Sequence, residues 1–256
     1  MAEYDRQTLN ARAGSALAID EGLRSYMLRV YNYMGIGLVI TGLVAWFTAN
    51  AAVTVDPSQA VAQLDSGRYL TQWGVLLFTS PLSWVVMLAP LAFVLVLSFG
   101  INKLSVPAAQ ATFWAFAAIM GLSLSSIFLV YTGASIAKVF FITAATFGAM
   151  SLYGYTTKRD LTGMGNFLMM GLIGIIIASI VNIFMQSSMM EFVISVVGVL
   201  IFTGLTAYDT QKIKESYSEH YGADVMAKNA IMGALSLYLD FINLFMMLLR
   251  LFGNRE

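Results

Sequence analysis

The chain is 256 residues long, 59% hydrophobic and 11% charged, with a mean hydropathy of +0.76. Soluble domains hold about 45–50% apolar and about 25% charged residues, so this composition leaves too little polar surface to cover a water-soluble fold. Fourteen basic residues balance fourteen acidic ones, which argues against nucleic acid as a partner; the lack of cysteine excludes disulfides and thiolate chemistry, and the single histidine, His220, removes most metal-hydrolase schemes.

The first thirty residues carry Glu3, Asp5, Arg6, Arg12, Asp20, Glu21, Arg24 and Arg29 and lack the apolar core of a signal peptide. Residues 21–31 place Leu23, Met27 and Val30 on one face, which fits a short helix on the cytoplasmic surface; a solvated tail fits the same residues. A bilayer-spanning helix needs about 20 mostly apolar residues. Seven segments qualify, at 32–50, 83–101, 108–130, 134–156, 165–186, 192–213 and 230–252. The stretch 71–84 is apolar but short and interrupted by Pro81, and reads as interfacial with Trp73 and Trp84 at headgroup level. The expected division is an N-terminal cytoplasmic segment 1–31, a seven-helix membrane domain 32–253 and a short tail 254–256. Small residues, Gly171, Gly174 and Ala178 in the fifth span and Gly37 with Thr41 in the first, suit close helix contacts.

Basic residues orient the chain. With the N-terminus inside, the inner segments hold Arg6, Arg12, Arg24, Arg29, Lys103, Lys158, Arg159, Lys212, Lys214 and Lys228, whereas the outer side holds Arg68, Lys138, Arg250 and Arg255. An odd number of spans then puts the C-terminus outside, provided the seventh segment crosses rather than re-enters.

Ionisable groups within spans are expensive and need a reason. Lys138 and Arg250 sit near helix ends and can snorkel. Two acids cannot. Asp209 lies in the sixth span about one turn from its cytoplasmic end, and Asp240 lies about 15 Å into the seventh at 1.5 Å per residue. Thr206 and Thr210 flank the first; Ser236 and Asn243 flank the second on its own face. Two such stripes on consecutive antiparallel helices suggest facing surfaces. Two carboxyls in a low dielectric cannot both ionise cheaply, so they would share a proton and titrate as one unit. Such a pair serves either as a neutral clamp or as a site for ion passage and pH sensing. Asn182 in the fifth span, and Ser123, Ser125 and Ser126 in the third, could line a path.

Catalysis is not expected. Gly121-Leu122-Ser123 resembles the serine site of intramembrane proteases, but Leu124 stands where a glycine belongs, and His220 lies in a charged loop outside the bilayer. No phosphate-binding or dinucleotide glycine loop is present, and no tightly bound cofactor is expected.

The two acids sit in distinctive text. The stretches LTAYDTQKIKESY (205–217) and ALSLYLDFINLFMMLLRLFG (234–253), with GLSLSSIFLVYTGASI (121–136) and NFLMMGLIGIIIASIVNIF (166–184), resemble the Bax inhibitor family in its bacterial inner-membrane branch. The resemblance implies a seven-helix fold with the last helix central and wrapped by the other six. It further implies a pH-sensitive calcium leak governed by two aspartates, here Asp209 and Asp240 by motif match. Calcium prefers six to eight oxygens, so these carboxylates with neighbouring neutral oxygens would form a weak, transient site. Some members carry a charge in the second span; residues 83–101 hold none, so any latch of that kind must come from elsewhere. Some bacterial relatives act instead as partners of a membrane-bound ATP-dependent protease, with residues 1–31 as the handle and the aspartates as a structural clamp. The expected partners are thus the lipid bilayer, calcium or another cation, and such a protease.

Overall fold

The computed structural model describes residues 2–64 and 67–255, with side chains from residue 21 onward except Gln59. The acidic and basic groups expected in the tail before residue 21 lie outside the described side chains.

The helix α1 runs unbroken over Ala2–Ala52. Residues 21–31 are therefore neither a separate surface helix nor a solvated tail; they are continuous with the first span, whose apolar helix extends back to Glu21. Packing explains the difference. Tyr26, Met27 and Val30 are buried, the Tyr26 ring lies 5.7 Å from that of Tyr217, and its hydroxyl is 3.1 Å from Ser216 Oγ. The face that suits a membrane surface is turned onto protein.

After α1 come three two-residue strands, β1 (Val53–Thr54), β2 (Ala62–Gln63) and β3 (Tyr69–Leu70), antiparallel in the order β1-β3-β2. Helix α2 (Gln72–Phe78) is capped by Thr71, whose Oγ1 accepts from the Gly74 amide and donates to the Ala51 carbonyl at the end of α1. Trp73 and Trp84 are both exposed, as an interfacial segment requires.

The remaining helices are α3 (Leu82–Gly100), α4 (Val106–Leu124), α5 (Ile127–Val130), α6 (Gly133–Thr156), α7 (Thr162–Met185), α8 (Ser188–Glu215) and α9 (Ala223–Phe252). Ser105, Thr132 and Ser187 side chains cap α4, α6 and α8 by accepting orphan amides. Gln186 closes α7 with a φ of 50°, so the turn into α8 needs only two residues. Counting α4 and α5 as one span, seven helices among the described residues are long and apolar enough to cross a bilayer. The chain is an all-α polytopic membrane protein.

Among the spans α9 is the most buried, and it packs mainly against α1, α4, α6 and α8. It is buried almost all round, as a helix in the middle of a bundle should be. α3 and α7 are the least buried; they pack on α4 and α8 and turn most of their surface outward. α9 thus packs mainly on four of the other six spans, while α3 and α7 pack mainly on α4 and α8.

Because lipid is as apolar as leucine, close packing and hydrogen bonds must hold these helices together. Tyr238 of α9 shows both. Its hydroxyl is 2.6 Å from Thr41 Oγ1 of α1, which also lies 2.8 Å from the Ala117 carbonyl of α4, and its ring meets the Phe116 ring edge-on at 5.1 Å. Glycine permits the closest approaches. A Cβ on Gly154 would strike the Ala207 carbonyl, and one on Gly121 would sit 2.5 Å from the Thr41 carbonyl.

The chain ends lie at opposite ends of the bundle. At its far end α9 leads into Asn254, whose amide donates to Ser135 Oγ and whose carbonyl accepts from the Thr132 amide, beside the start of α6. Arg255 forms an ion pair of 3.5 Å with Glu191 at the start of α8. A re-entrant seventh segment would need a break in α9, and it has none.

Two outcomes follow from this packing. Gly154→Val should destabilise the fold by about 1–3 kcal/mol through overpacking, whereas Gly174→Val, which meets open space, should leave thermal stability nearly unchanged. A reporter active on only one side of the membrane should also give opposite signals when fused in the 157–161 turn and after residue 255; equal signals would contradict the crossing of α9.

Candidate functional site

Helices α8 and α9 run antiparallel in a register set by size matching. Gly198 faces Met247, and Gly233 faces Ile213, whose branched side chain occupies the space that a Cβ would take. Extending that register places Ser236 opposite Asp209 and Asp240 one turn deeper. The two carboxyls face each other across the α8–α9 interface.

Their surroundings differ. Asp240 is 6% exposed, and its Oδ2 has no hydrogen-bond donor among the described residues. Asp209 is half-buried and lines a cavity of about 290 Å³. The cavity follows one stripe of each helix, with Asp209, Lys212, Ile213 and Ser216 on α8 and Asn229, Met232, Gly233 and Ser236 on α9. These spacings of three and four residues keep the groups on one helix face. The cavity reaches Ser216 at the C-cap of α8, so it leads toward the end of the bundle where the α8–α9 turn lies. On the other side of Asp240 the interior is filled by buried Leu244, Phe245 and Leu248.

Two ionised carboxylates are acceptors only and cannot hydrogen-bond to one another. Two carboxyls this close are accommodated most cheaply when one proton is shared between them. Losing that proton leaves two negative charges in contact at the end of a cavity, an arrangement that attracts a cation or separates the helices.

The other sequence-selected groups are placed as follows. Ser236 lines the cavity. Thr206 is fully buried and donates to the Phe202 carbonyl of its own helix. Thr210, also fully buried, donates to the Thr206 carbonyl and lies 2.9 Å from Ser151 Oγ of α6, tying α8 to its neighbour. Asn243 is half-buried on α9 and does not line the cavity. Asn182 lies at the opposite end of the bundle, where its Oδ1 accepts from the Ser187 amide in the α7–α8 turn. Its role there is to close that turn. Ser125 donates to the Leu122 carbonyl at the break between α4 and α5. His220 is exposed in the α8–α9 turn.

Several residues of the 205–217 stretch have structural tasks that no sequence pattern announced. Tyr208 covers Gly165 at the start of α7. Gln211 donates to the Arg159 carbonyl and accepts from the Leu161 amide, both at 2.8 Å, so one side chain clasps the α6–α7 turn. Within that turn, hydrogen bonds from Thr162 hold the Asp160 carboxyl below its ordinary range. Lys214 donates to the Tyr155 carbonyl near the end of α6. Ser216 and Asn229 could have been found by following the Asp209 and Asp240 stripes outward; Ser151, alone on another helix, carried no such signal.

Gln211→Ala should cost about 1–3 kcal/mol, because it strands a buried Leu161 amide and the Arg159 carbonyl. Gln211→Glu, which can still accept, should recover part of that loss in a thermal unfolding measurement.

The family described as Inhibitor of apoptosis-promoting Bax1 matches residues 23–256. The chain is 47% identical over 248 residues to Inner membrane protein YbhL of Escherichia coli K12, covering 96% of this chain and 98% of that protein. It is also 47% identical to an uncharacterized protein of Rickettsia prowazekii, over 93% of this chain and 92% of that one. An uncharacterized membrane protein of Streptococcus pyogenes is 35% identical over 93% of this chain and 96% of its own.

Proposed function

The chain belongs to the Bax inhibitor family, and from that premise we propose that it is a pH-sensitive calcium leak of the bacterial inner membrane, with Asp209 and Asp240 as its proton-sensing, ion-accessible site. The inner-membrane assignment follows the relative in Escherichia coli, whose name carries it. The N-terminus faces the cytoplasm on the ten-to-four basic asymmetry of the loops. The cavity at Asp209 then opens toward the cytoplasm.

One observation carries the reading: a buried carboxyl with a donorless oxygen touches a second carboxyl that lines a cavity. A purely structural clamp has no need of access from the bundle's end. Two carboxylates, with Ser236 and Asn229 oxygens nearby and water completing the shell, suit a calcium ion in transit better than one held tightly. No cluster of three acidic or histidine side chains exists among the described residues to bind it more firmly. Leu244, Phe245 and Leu248 are buried beyond the pair, so an ion passing it would require helices to move. Charge repulsion after proton loss supplies a reason for α8 and α9 to part.

The sign follows from competition. Protons and calcium seek the same oxygens, so calcium binding strengthens as pH rises and the shared proton leaves. Lys212 lines the same cavity. Conduction need not track binding, because a bound divalent ion also obstructs a path.

Purified protein in liposomes should pass calcium in a pH-dependent manner. Asp209→Asn and Asp240→Asn should each flatten that dependence while preserving the fold, and the double variant should lose little more than either, because the two act as a unit. Wild-type pH profiles in both single variants would reduce the pair to a clamp. If intact wild-type protein carries no calcium at any pH, the leak is overturned; the protease-partner reading then remains, and deletion of residues 2–20 should abolish the cellular phenotype without unfolding the helices.

A further inference from the structure

Near the end of the bundle that holds the α8–α9 turn, helices α1 and α6 do not close on each other. Between them lies a groove of about 640 Å³, lined by Arg24, Met27, Leu28 and Tyr31 of α1 and by Phe147, Gly148, Ser151, Leu152 and Tyr155 of α6. That volume falls within the roughly 300–1,000 Å³ of small-ligand sites. We propose that this groove binds one anionic phospholipid, with an acyl chain along its length and the phosphate at Arg24.

The dimensions suit a chain from one leaflet. Arg24 to Tyr31 is seven residues, about 10 Å along a helix, and the α6 wall is about 12 Å. Half of a hydrocarbon core of about 30 Å is about 15 Å. The groove also reaches deeper than a lipid-facing surface would, since Met27, Phe147 and Ser151 at its floor are all buried. Its polar floor atoms need nothing from a ligand. Tyr31 and Ser151 hydroxyls lie 2.6 Å apart, and Ser151 continues to Thr210 at 2.9 Å. What remains to be satisfied is apolar, and a void of this size in a bilayer protein forfeits dispersion contacts unless a chain fills it.

Charge decides which lipid. Arg24 stands at one end of the groove, exposed. Tyr155 stands at the same end; its carbonyl accepts from Lys214, and the Lys214 ammonium lies 5.3 Å from its ring centroid. Among the described residues no carboxylate lines the groove; Arg24 also borders the adjacent face of α1, where Glu21 and Arg29 lie, so its guanidinium stands between the two surfaces. A guanidinium pairs with phosphate through parallel hydrogen bonds. Phosphatidylcholine brings its own cation to compete for that phosphate; phosphatidylglycerol does not. This inference is independent of calcium passage, because none of its groove residues lines the Asp209 cavity.

Gly148 offers a clean test, because a Cβ there meets nothing within 4 Å. Gly148→Leu should therefore fill the groove without displacing protein. Gly174→Leu adds the same bulk to open space on α7 and serves as the control. Detergent-purified full-length protein would be titrated with phosphatidylglycerol, or with phosphatidylcholine of matched chains, and bound lipid counted by native mass spectrometry. Wild type and Gly174→Leu should retain one phosphatidylglycerol in preference to phosphatidylcholine, and Gly148→Leu should lose it. Arg24→Gln, an exposed change that the fold should tolerate, should weaken phosphatidylglycerol binding about fivefold and leave phosphatidylcholine unaffected. Unchanged phosphatidylglycerol binding by Gly148→Leu, or equal binding of both lipids by wild type, would overturn the proposal.

Discussion

A carboxyl group inside a bilayer protein must find its partner within the protein, and the contact of Asp240 with Asp209 is where this bundle meets that demand. Water and counter-ions, which would solvate a carboxylate on a soluble protein, are absent from the hydrocarbon, so the two acids depend on α8 and α9 being held in one register. That register rests on size: a glycine faces a methionine near one end of the pair and an isoleucine near the other. Shifting either helix by one residue would turn its stripe away and leave each acid alone among apolar groups.

Much of the remaining bundle holds α8 in place. Thr210 ties it to α6 through Ser151, Gln211 clasps the α6–α7 turn, and Tyr217, just past its end, meets Tyr26 midway along α1. Several of these contacts arise within a single run of thirteen residues. The candidate site and these structural contacts are therefore interleaved on one stretch of chain. α9 is anchored to the same two helices at other points, by Tyr238 and Thr41 to α1 and through Asn254 to the start of α6.

The lipid-facing side has its own logic. α3 and α7 pack mainly on α4 and α8 and turn most of their surface outward, whereas α1 and α6 leave a concave gap closed at its floor by hydroxyls. Convex apolar surface needs only fluid lipid. A concave gap is the place that the proposed lipid chain would fill, with Arg24 at its rim.

The membrane class, the seven spans and the two acids that demanded explanation were legible in the sequence, because each depends on local quantities: apolar length, charge cost and 3.6-residue periodicity. So was the pairing of Asp209 with Asp240, since consecutive antiparallel helices bring their stripes together. What only tertiary structure decided were relations across many residues. Residues 21–31 have the periodicity of a surface helix, yet Tyr217, almost two hundred positions away, makes that face an interior one. Asn182 has the polarity of a path residue, yet it closes a turn at the far end of the bundle. Thr206 and Thr210 flank Asp209 in the chain, yet their hydroxyls are spent on their own helix and on α6. Periodicity tells which residues share a face; which face meets protein, lipid or a cavity depends on where the other helices stand.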